Sequence, residues 1–399
     1  MQLPLSQKVL SIEEPLTIGM SRRSRELNQQ GIQVINLSLG EPDFDTPEPI
    51  KQAAIEAIQN NFSHYTAVSG YLELRQAICE KFKRDNNLHF TPDQIVVSTG
   101  AKQSIANAYI ALLNPGDEVI IPAPYWVTYA EFLKLIDAKP VIVQTSIDNN
   151  FKLSAEELEK HITPKTKLII FSSPSNPTGS VYSQQELAEW AKVLEKYPQI
   201  YVISDEIYEH INYVGKHYSL AQFESISERV IIINGVSKGY AMTGWRGGIL
   251  AGPKWLAQAC DKIQGQFTSA TCSITQKAMH KAMEIDIETY VKPMVRTFQK
   301  RRDLVLNHLK DIKGIRANNP DGAFYVFADV TNLFGKRYKD KVIQSGTDLC
   351  FYLLDEARVS LVPGAAFGND NYIRISYATS EELLEKAMNQ IKSAIEKLQ

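Results

Sequence analysis

The sequence predicts an α/β fold, a mostly parallel seven-stranded sheet sandwiched by helices, accompanied by a smaller α+β domain. Three observations predict it. Between residues 50 and 255, short continuous apolar runs alternate with amphipathic stretches, as expected of strands buried on both faces and joined by helical crossovers. The stretch from about residue 285 to the end opens instead with a long charged segment and then gives two further strand-like runs and a closing helix. The 399 residues, 44% hydrophobic and 22% charged, are enough for a sizeable core and two domains.

The strand signals, in chain order, are "QIVVS", "DEVIIP", "KPVIVQ", "KLIIFS", "QIYVIS", "RVIIIN" and "GGILAG". Between them lie helical patterns such as "GAKQSIANAYIALL" and "SQQELAEWAKVLEKYP", with apolar residues three and four apart. The tail opens with what reads as one long helix, "DIETYVKPMVRTFQKRRDLVLNHLK". It continues with "GAFYVFADV" and "NYIRISYAT" and closes with "SEELLEKAMNQIKSAIEKL". This pattern predicts a large α/β domain followed by a separate α+β lobe over about 285–399.

Composition narrows the partners. A net charge of −2 leaves no bulk electrostatic footprint for nucleic acid or an anionic membrane, so small molecules are expected. The four cysteines, Cys79, Cys260, Cys272 and Cys350, form no CxxC pair, which speaks against a zinc cluster or a disulfide framework; no metal is expected. No apolar run reaches membrane-span length, and the N-terminus carries acidic residues where a signal peptide needs an apolar core. A soluble, cytoplasmic chain is the expectation.

In open parallel sheets, ligands bind beyond the carboxyl ends of the strands. Those ends carry Gly100, Ala101 and Lys102 in "VVSTGAKQ", Trp126 in "IIPAPYW", Asn176 in "FSSPSNPTG", Asp205 and Tyr208 in "ISDEIY", and Ser237 and Lys238 in "INGVSK". The set offers a helix N-terminus for an anion, an aromatic face, an amide, a carboxylate, a phenol and an amine. Lys238 stands between small residues just past a buried strand, where scarce water favours loss of its proton. Taken singly, each has a structural alternative: Asp205 as a helix cap, Tyr208 and Trp126 as core aromatics, and Lys102 as a solvated helix-start charge.

Five motifs, "GEPDFDTP", "PYWVTY", "SSPSNPTG", "SDEIYEH" and "SKGYAMTGWRGG", stand in order across the chain. Together they resemble the class I pyridoxal-phosphate aminotransferases, and most closely their bacterial aspartate aminotransferase branch. The resemblance runs from near residue 10 to the C-terminus. It implies the type I pyridoxal-phosphate transferase fold, with an N-terminal arm over 1–14, a small domain from 15–45 and 285–399 and a large cofactor-binding domain over 46–284, pyridoxal 5′-phosphate as cofactor, and a homodimer with shared active sites. It further implies transamination between an L-amino acid, aspartate or glutamate first, and oxaloacetate or 2-oxoglutarate, with prephenate or an aromatic or neutral amino acid as the alternative.

Carried over residue by residue, the resemblance makes Lys238 the Schiff-base lysine and proton carrier, and Asp205 the carboxylate facing the pyridine nitrogen. It makes Asn176 and Tyr208 donors to the ring's phenolic oxygen. Gly100, Ala101, Lys102, Ser237 and Arg246 would hold the phosphate, Trp126 would stack on the ring, and Tyr65 would reach the phosphate of the neighbouring subunit. Arg374 would grip the substrate α-carboxylate, Gly40 would close over it, and Lys102 with Thr17 would meet a distal carboxylate.

Two departures stand out. Gly247 replaces the family's branched apolar residue, which predicts looser packing behind Arg246. Gly235 stands where serine is frequent, which predicts one phosphate hydroxyl fewer. Decarboxylases, β-lyases and acyltransferases share the scaffold, but Arg374 favours substrates that keep their carboxylate. A cofactor-sensing regulator would need a helix-turn-helix ahead of the matching region, and none fits there. A nucleotide-binding protein would need G-x-G-x-x-G or G-x-x-x-x-G-K-[ST], and neither occurs.

Overall fold

The computed structural model of the protein describes residues 5–12, 16–339 and 341–399. The seven expected runs form one sheet: β1 (Ile95–Ser98), β2 (Glu118–Ala123), β3 (Lys139–Gln144), β4 (Thr166–Ser172), β5 (Tyr201–Asp205), β6 (Val230–Gly235) and β7 (Gly248–Ala251). Their spatial order is β1-β7-β6-β5-β4-β2-β3. The pairs β2–β3, β2–β4, β4–β5 and β5–β6 are parallel, while β7 runs antiparallel to both β1 and β6. The helices Ala101–Leu112 and Gln184–Glu195 lie where the 3.6-residue pattern puts them, the second opened by a Ser183/Glu186 capping box.

Alternate residues of a strand point to opposite faces, so the sheet divides two cores. Ile169, Val202, Ile232 and Ile249 pack into one, and Leu168, Ile170, Ile203, Ile231 and Leu250 into the other. The edge strand β3 departs from the expectation of burial on both faces, because Lys139, Pro140 and Gln144 are exposed.

A second, antiparallel sheet carries the C-terminal residues. Its centre is β8 (Tyr325–Asp329) against β9 (Tyr372–Ser376), which sets Tyr325 opposite Ser376 and Phe327 opposite Arg374. Val362–Pro363 and Arg316–Ala317 flank the pair. The N-terminal strand Ile35–Asn36 joins the same region by parallel pairing with Val359–Ser360.

The single helix expected at the start of the tail is two. One turn, Ile287–Tyr290, ends at Val291, and Lys292–Lys310 begins anew. Pro293 explains the break, since it has no N–H to donate and its ring clashes with the preceding turn, yet it is tolerated at a helix start.

Behind the strand ends, buried Glu209 pairs with Lys81 and accepts from Asn86 Nδ2 and Asn234 Nδ2, both at 2.9 Å. Burial alone would raise the Glu209 carboxyl. Lys81, His210 and His217 outweigh it and hold the group well below the usual carboxylate range. Next to it, His217 Nε2 lies 2.9 Å from Glu206 Oε2. This charge-balanced network fixes the turn after β5 to the end of β6, the two segments that carry Asp205, Tyr208 and Lys238.

Candidate active site

A cavity of about 350 Å³ opens beyond the strand ends. Gly40, Ala101, Lys102, Trp126, Asn176, Asp205, Tyr208, Ser237, Lys238, Arg246 and Arg374 all line it. Residues from both sheets and from the N-terminal segment therefore converge on one space.

Lys238 follows β6 and donates from Nζ to the Gly40 carbonyl. Burial, with help from Arg374 and Arg246 and against the pull of Glu41 and Asp205, lowers its pKa to about 8. At pH 8 roughly half of such an amine is neutral, against about 0.3% of an ordinary lysine. The amine of the cofactor-free chain is therefore expected to react with an aldehyde at a rate that rises through pH 8 and levels off above pH 9, as stopped-flow absorbance would read. A rate still climbing at pH 10 would mean an ordinary lysine.

Asp205 ends β5 and is buried. Its Oδ2 accepts from Tyr129 Oη at 2.6 Å and its Oδ1 from the Ile207 N–H at 3.2 Å. Burial still raises its pKa to about 6, those two bonds opposing and Glu206 adding to the rise. Such a carboxylate lacks a full counter-charge and suits a cationic N–H donor in the cavity.

Tyr208 Oη lies 2.9 Å from Tyr325 Oη. Arg374 donates from Nη1 to Asn176 Oδ1 at 3.0 Å and from Nη2 to the Ser38 carbonyl at 2.7 Å. With its Oδ1 engaged, Asn176 offers a ligand its amide N–H donors. The guanidinium sits 4.4 Å from the Tyr325 ring centroid and 4.9 Å from that of Phe367. Its Nε is buried without a hydrogen-bond partner, and among the described residues no carboxylate pairs with it. An unpaired buried guanidinium is costly unless an anion arrives.

The helix starting at Ala101 has Gly100 as its N-cap at φ 87°, with no side-chain cap. The Gln103 N–H already bonds the Gly100 carbonyl at 3.0 Å, and the N–H of Gly100, expected among the phosphate donors, bonds the Ser98 carbonyl at 2.8 Å; the N–H groups of Ala101 and Lys102 remain for an anion, which the helix dipole favours there. A Cβ on Gly100 would lie 2.3 Å from Arg246 Nη2, so only glycine lets that guanidinium lie across the cap. Lys102 projects from the first turn with Nζ 5.0 Å from the Trp126 ring. Crowding by the surrounding protein and the nearby Arg246 lower its pKa, and no carboxylate among the described residues pairs with it. Trp126 meets Tyr129 edge to face at 5.6 Å.

The segment from Ser38 to Thr46 is stitched over the Lys238 loop. Thr243 Oγ1 donates to Glu41 Oε2 at 2.9 Å, Thr46 Oγ1 to the Ala241 carbonyl at 2.8 Å, and Arg301 Nη1 to Asp43 Oδ1 at 2.7 Å.

Tyr65 is 96% exposed and outside the cavity of its own chain. The Thr17 side chain lies outside the described residues. The packing expected to be loose at Gly247 is instead tight, since a Cβ there would lie 2.6 Å from Met279 Sδ and 2.9 Å from Val236 Cγ2. Gly235 likewise has a structural reason to lack a side chain, because its Cβ would meet the Gly247 carbonyl at 2.6 Å. Sequence reasoning missed Tyr129, Tyr325, Thr243, Ser172, Ser38 and Phe367, all of which line the cavity. Tyr129 had a local signal, three residues past Trp126 on a helix start; Tyr325 had none, as only strand pairing brings it beside Arg374.

Known proteins match closely. The aminotransferase class I and II family matches residues 32–391. A probable aspartate/prephenate aminotransferase of Rickettsia felis is 49% identical over 393 residues, covering 98% of this chain and 96% of that protein. An aspartate/prephenate aminotransferase of Nitrosomonas europaea is 44% identical, covering 98% and 100%. Among solved structures, the aspartate aminotransferase from Rhizobium meliloti superposes with a TM-score of 0.97 at 42% identity over 100% of both chains. That from Thermus thermophilus with maleate gives 0.92 at 36% identity, covering 98% of this chain and 100% of the other.

Proposed function

The chain belongs to the class I and II aminotransferases, and on that premise we propose that it uses pyridoxal 5′-phosphate to move the amino group of aspartate or glutamate to a 2-oxo acid, oxaloacetate or 2-oxoglutarate. One observation carries the dicarboxylate preference. With Arg246 assigned to the phosphate, two further cations without carboxylate partners among the described residues, Arg374 and Lys102, line the same cavity as the depressed-pKa amine of Lys238. Aspartate has two carboxylates to match them. The relatives named for aspartate and prephenate support the same class of substrate.

The cavity's groups fit the cofactor: a helix N-terminus with Arg246 and Ser237 as donors to a phosphate, Asp205 as acceptor for a ring N–H, Tyr208 and Asn176 as donors to a phenolic oxygen, and Trp126 for a ring face. When bound, pyridoxal phosphate supplies an aldehyde for the amino group and a ring that accepts the electrons left when the substrate Cα loses its proton. Lys238, neutral in good part near pH 8, can bind that aldehyde and, once displaced by the substrate amine, take the Cα proton at Nζ. With the cofactor bound, the buried charge of Asp205 would keep a ring nitrogen beside it protonated. Arg374 orients the α-carboxylate, and the Ser38–Thr46 segment above it limits access of water.

The reading extends to assembly and layout. Three residues past Tyr65, the Val68 carbonyl accepts from Gln264 Nε2 at 2.9 Å, on the helix that ends in Phe267. Phe267 is 70% exposed. Two exposed aromatic side chains on segments linked in this way support a homodimer in which Tyr65 serves the partner's phosphate. Pairing of Ile35–Asn36 with Val359–Ser360 supports a small domain of 15–45 and 285–399 beside a large one of 46–284, with 1–14 as an arm. The four cysteines are free, three of them buried, which supports a reducing cytoplasm. No helix among the described residues is long and apolar enough to cross a membrane.

The substrate reading is tested with Lys102→Ala. Its kcat/KM for aspartate is expected to fall near thirtyfold, about 2 kcal/mol, with little change for alanine or phenylalanine, which carry no second carboxylate. Equal losses for charged and uncharged donors would assign Lys102 to the phosphate alone and return the choice to neutral or aromatic amino acids.

A further inference from the structure

We propose that Tyr325 is a positioning residue that serves both halves of the site at once: its hydroxyl aims the Tyr208 proton at the cofactor, and its ring supports Arg374 beneath the substrate carboxylate. The inference rests on the pyridoxal-phosphate reading above.

Tyr325 is fully buried at the start of β8. Its position opposite Ser376 and two residues from Phe327, the partner of Arg374 across the sheet, brings its ring within 4.4 Å of the guanidinium carbon. That is cation–π distance in a site shielded from water. The contact gives a cation that has no carboxylate partner a fixed seat before any substrate arrives.

Its hydroxyl lies 2.9 Å from that of Tyr208. Burial holds both phenols above their usual range, so both stay protonated, and a pair of hydroxyls at that distance shares one of its two protons. If Tyr208 donated to Tyr325, its own proton would be spent. With Tyr325 as donor, the Tyr208 proton is free to point into the cavity, and accepting one hydrogen bond strengthens the one it gives. The overlying segment restricts the alternatives: a Cβ on Gly40 would already lie 3.3 Å from Tyr325 Oη.

Two variants separate the roles. Tyr325→Phe keeps the ring and loses the hydroxyl; Tyr325→Leu loses both. Two equilibria are read: pyridoxal-phosphate affinity of the cofactor-stripped chain by equilibrium dialysis, and the inhibition constant of succinate, a dicarboxylate without an amino group, on the holoenzyme. Tyr325→Phe is expected to weaken cofactor binding about fivefold and leave succinate within twofold. Tyr325→Leu is expected to weaken succinate about tenfold as well. If the leucine variant does not fold, the split in the phenylalanine variant decides alone. Unchanged cofactor affinity in Tyr325→Phe would overturn the proposal. So would unchanged succinate affinity in Tyr325→Leu, or parallel losses in both equilibria for both variants. Failure of the unmutated chain to bind pyridoxal phosphate would instead overturn the reading on which the proposal rests.

Discussion

Lys238→Ala is expected to lose transamination by roughly 10⁴-fold or more, because one substitution removes both the group that binds the cofactor aldehyde and the carrier of the Cα proton. The loss should be chemical and not conformational. Lys238 makes one hydrogen bond, to the Gly40 carbonyl, and the segment that carries Gly40 is held independently by Thr243, Thr46 and Arg301. The variant should therefore melt within a few degrees of the parent while borohydride treatment with pyridoxal phosphate no longer labels it. A labelled, active alanine variant would mean that another amine does this work.

Removing the charge of Asp205 is the second large effect. Asp205→Asn is expected to lower kcat by about a hundredfold to a thousandfold, the worth of a charge-assisted hydrogen bond in a closed site, on the order of 3–4 kcal/mol. Asparagine can still accept from Tyr129 or from the Ile207 N–H, so the fold should persist. Asp205→Ala should show the same kinetic loss plus a stability loss of about 1–3 kcal/mol, since the buried Tyr129 hydroxyl is left without its acceptor. A turnover number unchanged in Asp205→Asn would remove the carboxylate from the mechanism.

The large sheet was legible because its strands, the edge strand β3 excepted, are buried on both faces, which turns each into an uninterrupted apolar run; all seven lie where the expected runs stand. The residues at their carboxyl ends were legible for the same reason, since the end of a run marks the rim of the sheet. Contacts made across the fold were not. Tyr129 meets Asp205 over 76 residues of sequence and Tyr325 meets Tyr208 over 117, separations at which no spacing carries a signal. The glycines mark a different limit. At Gly247 the sequence suggested space, whereas the site is filled by Met279 and Val236 approaching from elsewhere in the chain. The helix break at Val291 was visible in Pro293, but the apolar periodicity that runs through it hid the stop.

The most direct test of the account is the half-reaction of the holoenzyme with aspartate in the absence of any 2-oxo acid. If Arg374 keeps the α-carboxylate in place while Lys238 moves the Cα proton, one equivalent of oxaloacetate should form per chain, with no alanine, no β-alanine and no free ammonia. Later addition of 2-oxoglutarate should then return one equivalent of glutamate. Formation of alanine or β-alanine, or release of ammonia, from aspartate under the same conditions would contradict it, placing decarboxylase or lyase chemistry on these residues instead.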